Sequence, residues 1–252
     1  MRLPQELLDE IIGHFDLSRD FDHETSKTLR SCALVSRALV RPSQMALFCR
    51  ISSWDYFEDN HEFCEHFLAL LSSSRHLVGY IRTLDIELPY KGLDLTLHIL
   101  AALTQLHTLI MRNSYSYPTP FPHDSSVFAL PTLRRVELSY FHFLRPQELH
   151  SALLKAASLE ELVLSDIRCL DETENTSFPA IDGKVGSDCG PRLKSLGLIR
   201  VKRGQFFLEA LDIRHLESLT LSARPWPSPL SAHPQVNLMS LRHIKVINIW
   251  GG

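Results

Sequence analysis

"LESLTL" (216–221) is the stretch on which the fold turns. Leu219 and Leu221 alternate with Ser218 and Thr220, the period-two pattern of a short strand with one buried face. Leu216 stands three residues ahead of Leu219, so the whole unit reads apolar-x-x-apolar-x-apolar. The same unit recurs as "IRTLDI" (81–86), "LHTLIM" (106–111), "LRRVEL" (133–138), "LEELVL" (159–164), "LKSLGL" (193–198) and "LRHIKV" (241–246). The central apolar residues are Leu84, Leu109, Val136, Leu162, Leu196, Leu219 and Ile244, separated by 25, 27, 26, 34, 23 and 25 residues. Such a step marks an internal repeat. Its one long interval contains "DETENTSFPAIDGKVGSDCG" (171–190), polar and turn-rich, which predicts an exposed insertion loop.

Helical spacing fills the gaps between these units. It is present in "LDLTLHILAAL" (93–103), in "PQELHSALLKAA" (146–157), with Pro146 near a helix start, and in "GQFFLEALDI" (204–213). One strand and one helix cannot bury their own apolar faces, whereas stacked copies can, so the expected architecture is a curved parallel solenoid. The segment 77–250 resembles the leucine-rich repeat family, with about seven degenerate copies. That family places Asn or Cys three residues after the third apolar position. Here those places hold Pro89, Ser114, Phe141, Ile167, Val201, Arg224 and Ile249. The resemblance therefore implies an irregular solenoid without a side-chain amide ladder. A general α/β fold with leucine-rich strands is the other reading of the same pattern.

The first fifteen residues, "MRLPQELLDEIIGHF", follow a different rule. Pro4 suits the first turn of a helix, where its missing N–H costs nothing. Leu7, Leu8, Ile11, Ile12 and Phe15 then form one wide apolar face, while Gln5, Glu6, Asp9, Glu10 and His14 fall mostly opposite. A second helix is predicted over 26–39, "SKTLRSCALVSRAL", and a third starting at Pro42. Three short helices bury only a small core, and such units often borrow a partner's surface.

"LPQELLDEIIGHF" followed by "LRSCALVSRAL" resembles an F-box over about residues 1–50. Leu3, Pro4, Leu7, Leu8, Ile11 and Ile12 match its first helix. Leu29, Cys32, Ala33, Leu34, Val35, Ser36 and Arg37 match its central block. Two features differ from the family: the connection 16–28 is long, and Leu39 and Val40 stand where a Trp is common. The stretch "HEFCEHFLALLSSSRHLVGYIRTLDI" (61–86) reads as a short helix, a Ser-rich turn and the first strand, similar to the junction in F-box families of mushroom-forming fungi. The resulting organisation is α/β: a three-helix F-box (1–52), a helical junction (53–76) and a leucine-rich-repeat-like solenoid (77–252).

The resemblance implies a substrate-recognition subunit of a cullin–RING ubiquitin ligase. Its F-box would dock on the Skp adaptor through Leu3, Pro4, Leu7, Leu8, Ile11, Ile12, Leu34 and Val35. The repeats would hold an unknown protein substrate on the polar positions of the strands: Glu87, Ile110, Arg112, Glu137, Val163, Ser165, Ile199 and Ser222. Ile110, Val163 and Ile199 stand out there as apolar residues among polar neighbours, the type that anchors contacts. The alternative is a repeat scaffold outside any ligase, its N-terminal helices capping the end of the solenoid.

Composition narrows the remaining classes. The 252 residues carry a formal net charge of −3, with 44% hydrophobic and 22% charged residues, so no strong field points to nucleic acid or a membrane. No apolar run is long enough for a membrane span, and acidic residues interrupt the N-terminal stripe that a signal peptide would need unbroken. Five scattered cysteines fit a reducing compartment, cytoplasmic or nuclear. "HEFCEH" (61–66) gathers His61, Cys64 and His66, but His61 is followed at i+4 by Glu65, and no second ligand pair follows; no metal or cofactor is expected. "GLIRVKRGQ" (197–205) is too small a basic patch for nucleic acid, and "RPWPSPLSAHP" (224–234) reads as a stiff connector. No nucleophile elbow or phosphate loop appears, so an enzyme is not expected. The last strand unit lacks a polar closing helix, which makes that edge the expected labile end.

Overall fold

The computed structural model describes residues 4–15, 23–53, 60–88, 93–113, 128–143, 146–169, 191–201, 215–222 and 241–247. The expected insertion loop 171–190, the helix 204–213, the Pro-rich stretch 224–234 and Leu3 lie outside them. The chain is α/β, with N-terminal helices followed by a parallel-sheet solenoid.

Three helices lead: α1 (Gln5–Gly13), α2 (His23–Val35) and α3 (Arg37–Phe48). The predicted helix 26–39 is thus two helices, and α3 begins five residues before Pro42. Ser36 causes the break. Its backbone is extended (φ −147, ψ 135) and its side chain accepts the Ala38 N–H, an N-cap that competes with helix continuation. Pro42 then sits inside α3 and cannot donate to the Ala38 carbonyl four residues back. The side-chain amide of Gln5 donates to that carbonyl at 3.1 Å. A proline defect in one helix is thereby satisfied from another, and α1 is pinned at the α2–α3 corner. Pro4 caps α1 rather than entering it, with its carbonyl accepting the Leu8 N–H at 3.3 Å.

Among the described residues the main sheet has eight strands: β1 (Arg50–Ser52), β2 (Thr83–Leu88), β3 (Thr108–Asn113), β4 (Arg135–Ser139), β6 (Glu161–Ser165), β8 (Ser195–Ile199), β9 (Ser218–Ser222) and β10 (His243–Ile247), in that spatial order and all parallel. Seven carry the repeat unit. The eighth, β1, comes straight off α3 and is too short for a periodicity to announce it. A minor pair, β5 (His142–Phe143) with β7 (Arg168–Cys169), lies beside the exits of β4 and β6.

Strand register converts the sequence repeat into rows. Leu84, Leu109, Val136, Leu162, Leu196, Leu219 and Ile244 are direct lateral neighbours, as are Ile86, Met111, Leu138, Leu164, Leu198, Leu221 and Val246. Both rows are buried except at β10, and with Ile81, Leu106, Leu133, Leu159, Leu193 and Leu216 they form one continuous core. Residues of α4 (Asn60–Ser73), α5 (Leu93–Ala102) and α6 (Pro146–Leu153) cover it, among them Phe63, Phe67, Ile99, Leu100 and Leu153. Each fully buried leucine contributes about 1.5–3 kcal/mol relative to exposure. Among the described residues no helix is long and apolar enough to cross a membrane.

Two devices link the turns of the solenoid. Directly after each of β4, β6 and β8 stands a left-handed residue: Tyr140 (φ 63), Asp166 (φ 54) and Arg200 (φ 52). The amides of Tyr140 and Asp166 donate to the Ser165 and Ile199 carbonyls of the next repeat at 3.0 and 2.9 Å, so backbone bonds link the turns. The position where the family has Asn carries Phe141 and Ile167, both fully buried, and Val201, packed against the core.

Candidate functional site

The apolar stripe of α1 divides in two. Leu8, Ile12 and Phe15 form an inward row at i, i+4 and i+7; Ile12 is buried with Leu29, and Phe15, Cys32, Leu39, Ala46 and Leu47 pack around them. The resemblance assigns Ile12 to adaptor contact; at 3% exposure it belongs to the internal core instead, and Leu8 is half-buried beside it. Leu7 and Ile11 form an outward row and are 45% and 50% exposed. Leu34 and Val35, at the C-terminal end of α2, are 89% and 81% exposed. Pro4 is exposed as well.

The Gln5–Ala38 hydrogen bond brings the first turn of α1 to the start of α3, three residues beyond Val35. Leu34 and Val35 are held at that corner because Ser36 ends α2 directly behind them. Leu7, Ile11, Leu34 and Val35 are apolar and have no covering element among the described residues. Burying what remains exposed of these four side chains against a partner would contribute about 4–8 kcal/mol before the costs of association.

The second candidate surface is the sheet face opposite the core. Register places Asp85, Ile110, Glu137, Val163, Gly197, Thr220 and Lys245 in one row there. The face is more closed than the sequence implies. Ile110, expected as an exposed anchor, is 8% exposed. Its same-face neighbours are Asp85 and Glu137 laterally and Thr108 and Arg112 along the strand, and Arg112 folds back across it to meet Asp85 at 2.6 Å. Ser222 is also buried, its hydroxyl accepting the Arg200 N–H at 3.0 Å, so it fixes a turn and presents nothing outward.

Val163 is half-buried and leans on Gly197, where a Cβ would lie 3.2 Å from its Cγ1. Ile199 is half-buried, and the Ser165 hydroxyl donates to Asp166 at 3.2 Å. Glu137 pairs with Arg135 at 3.7 Å, and Arg135 also reaches Glu161 at 3.0 Å. Glu87 is half-buried, and its backbone N–H donates to the Ser53 hydroxyl at 2.9 Å. Asp85 is the hub of the face. Its carboxylate is nearly sealed and meets Arg50 of β1 at 3.5 Å as well as Arg112 of β3, tying three strands together.

Sequence reasoning missed a third feature. The second residue of each repeat unit forms a lateral ladder: Arg82, His107, Arg134, Glu160, Lys194, Glu217 and Arg242, each N–H bonding the preceding member's carbonyl at 2.8 Å. From Arg134 onward the charges alternate, with side-chain contacts Arg134–Glu160 at 3.6 Å, Lys194–Glu160 at 2.8 Å and Arg242–Glu217 at 4.0 Å. The Lys194 hydrogen bond holds the Glu160 carboxyl below its usual range and raises the Lys194 ammonium. His107 breaks the alternation. Burial, then Arg82 and Arg134 on either side, keep its imidazole below the ordinary histidine pKa. The signal was visible as R, H, R, E, K, E, R in the second place of the quoted units, but only register makes it a ladder.

The histidine–cysteine stretch does not converge. His61 and His66 face Glu65 and Glu62 at 3.8 and 3.9 Å, while Cys64 is buried near the Thr96 hydroxyl. Among the described residues no three His, Cys, Asp or Glu side chains are grouped to hold a metal ion. No protein-family model matches this sequence, and no curated protein matches it.

Proposed function

We propose that this chain is an F-box-type substrate receptor: α1–α3 dock on the Skp adaptor of a cullin–RING ubiquitin ligase, and the repeat sheet carries the target protein. The observation that supports it is the exposure of Leu7, Ile11, Leu34 and Val35, with Pro4 exposed as well. These are residues for which the F-box resemblance implies adaptor contact, and all four are exposed. The receptor makes and breaks no bond. It raises the local concentration of target lysines near the charged enzyme. Of the open face, Val163, Ile199, Glu87, Arg112 and Glu137 retain partial exposure for target contact.

The test is co-expression of the chain with a Skp adaptor and measurement of complex formation. The parent is expected to co-purify. Leu34→Asp/Val35→Asp is expected to abolish the complex while leaving the fold intact, since both side chains already lie in water. A complex that survives those changes removes this reading. One observation favours the second reading, a scaffold capped by its N-terminal helices: the Cys49 carbonyl at the end of α3 accepts the Arg82 and Thr83 N–H groups at 2.8 and 2.9 Å. The helices therefore run directly into the sheet edge. On that reading Leu34→Asp/Val35→Asp is silent in every binding assay, whereas loss of α1–α3 unfolds the first repeats.

A further inference from the structure

Among the described residues, β10 differs from the interior strands of the sheet. Along the two core rows every residue from β2 to β9 is buried, yet Ile244 and Val246 are 58% and 60% exposed. They occupy the same register as Leu219 and Leu221, so they belong to the core face and, among the described residues, have no strand neighbour on one side. β10 pairs only with β9, and its other backbone edge has no strand against it among the described residues. The charge ladder ends there too, alternating as Arg134, Glu160, Lys194, Glu217 and then Arg242, which is largely in water. His243 and Lys245 are also exposed on this strand.

We propose that the free edge of β10 receives an extended segment of another protein, added as a parallel strand, that sets a carboxylate beside Arg242 and two alternating apolar side chains against Ile244 and Val246. Strand addition at an open edge draws affinity from main-chain hydrogen bonds and specificity from alternate side chains. The required pattern is acidic-x-apolar-x-apolar, the order the chain itself uses in Glu160–Leu164 and Glu217–Leu221. A second copy of this chain does not meet it. The β10 of a second copy carries Arg242, His243 and Lys245 and no carboxylate, so it offers Arg242 no partner and gathers like charges along the seam. Head-to-tail stacking fails as well, because the ladder position ahead of β1 is Cys49, which offers Arg242 no carboxylate. The inference does not depend on what α1–α3 bind.

The experiment titrates the full chain into a fluorescein-labelled peptide SLEELVLSD, the sequence of residues 158–166, and follows anisotropy. Saturable binding is expected. Replacing both peptide glutamates by lysine is expected to weaken it by about tenfold, since attraction at the ladder becomes repulsion. Replacing both inner leucines of the peptide by aspartate is expected to abolish it. These peptide changes leave the protein untouched, so folding does not confound them. In the protein, Ile244→Asp/Val246→Asp is expected to abolish binding. Absence of saturation up to about 1 mM overturns the proposal, as does equal affinity for the lysine peptide or unchanged binding to the Ile244→Asp/Val246→Asp variant. A dimer detected by sedimentation and lost in that variant would name a second copy as the occupant and likewise overturn it.

Discussion

Removing the carboxylate of Asp85 is expected to loosen the joint between the N-terminal helices and the repeats. The side chain is 4% exposed and holds Arg112 at 2.6 Å and Arg50 at 3.5 Å, with those arginines 25% and 30% exposed. Breaking a buried pair by deleting one partner costs about 3–5 kcal/mol when the survivor stays buried. Here both guanidinium groups reach water and regain part of their hydration, so Asp85→Ala is expected to cost about 2–3 kcal/mol. Asp85→Asn keeps an acceptor of similar shape and is expected to cost about 1–2 kcal/mol. The control is Glu161→Gln, whose pair with Arg135 at 3.0 Å is 44% exposed on both sides and is expected to contribute under about 1 kcal/mol. Urea unfolding at constant m-value measures the difference. Repeating it in about 1 M salt should erase the Glu161 effect and leave most of the Asp85 effect, because buried pairs are screened far less. Amide exchange should quicken first at 50–53, where the Ser53 N–H donates to the Asp85 carbonyl at 2.9 Å. Asp85→Asn and Asp85→Ala both within about 0.5 kcal/mol of the parent would refute the reasoning that this triad fastens β1 to the sheet.

Three further outcomes are expected. Gly197→Ala should cost about 1 kcal/mol because its Cβ crowds Val163 at 3.2 Å, and the same change in a Val163→Ala background should be neutral or stabilising, as read by thermal unfolding. Stability should fall as pH drops through about 6.5: His107 and His142 both have lowered pKa values when folded, so the unfolded chain binds more protons in the window between those values and 6.5, and His107→Glu should flatten that slope and extend the alternating ladder. Gln5→Ala should cost about 1 kcal/mol by stranding the Ala38 carbonyl but cost little once Pro42→Ala restores a donor within α3; a double-mutant cycle without coupling would contradict the shared role.

How much was legible follows from how far each signal reaches along the chain. The repeat unit is six residues long and recurs seven times, so it located seven strands and, through its first, fourth and sixth positions, the whole core. β1 has three residues and no repeat partner, and it was invisible. Helix 26–39 was read through because Leu29, Cys32, Ala33, Val35 and Leu39 keep a helical spacing; one hydroxyl at Ser36 outweighed it by capping the next helix. On the sheet face opposite the core, alternation told which residues point away from the core but not what covers them. Ile110 is sealed by Arg112, which reaches diagonally to a carboxylate 27 positions earlier in the chain, and no local pattern encodes that reach.

From sequence alone the period, the apolar rows and the division into leading helices and stacked strands were determined, because hydrophobic burial at fixed spacing is a local rule repeated. Only the tertiary structure decided which half of the α1 stripe faces water and which fills a core. It also decided that Asp85 joins three strands, that scattered charges form one ladder, and that Ile244 and Val246 of β10 are exposed where the same rows are buried in the other strands. Those outcomes depend on register and on neighbours distant in sequence, where electrostatics and packing act across space and leave no periodic trace along the chain.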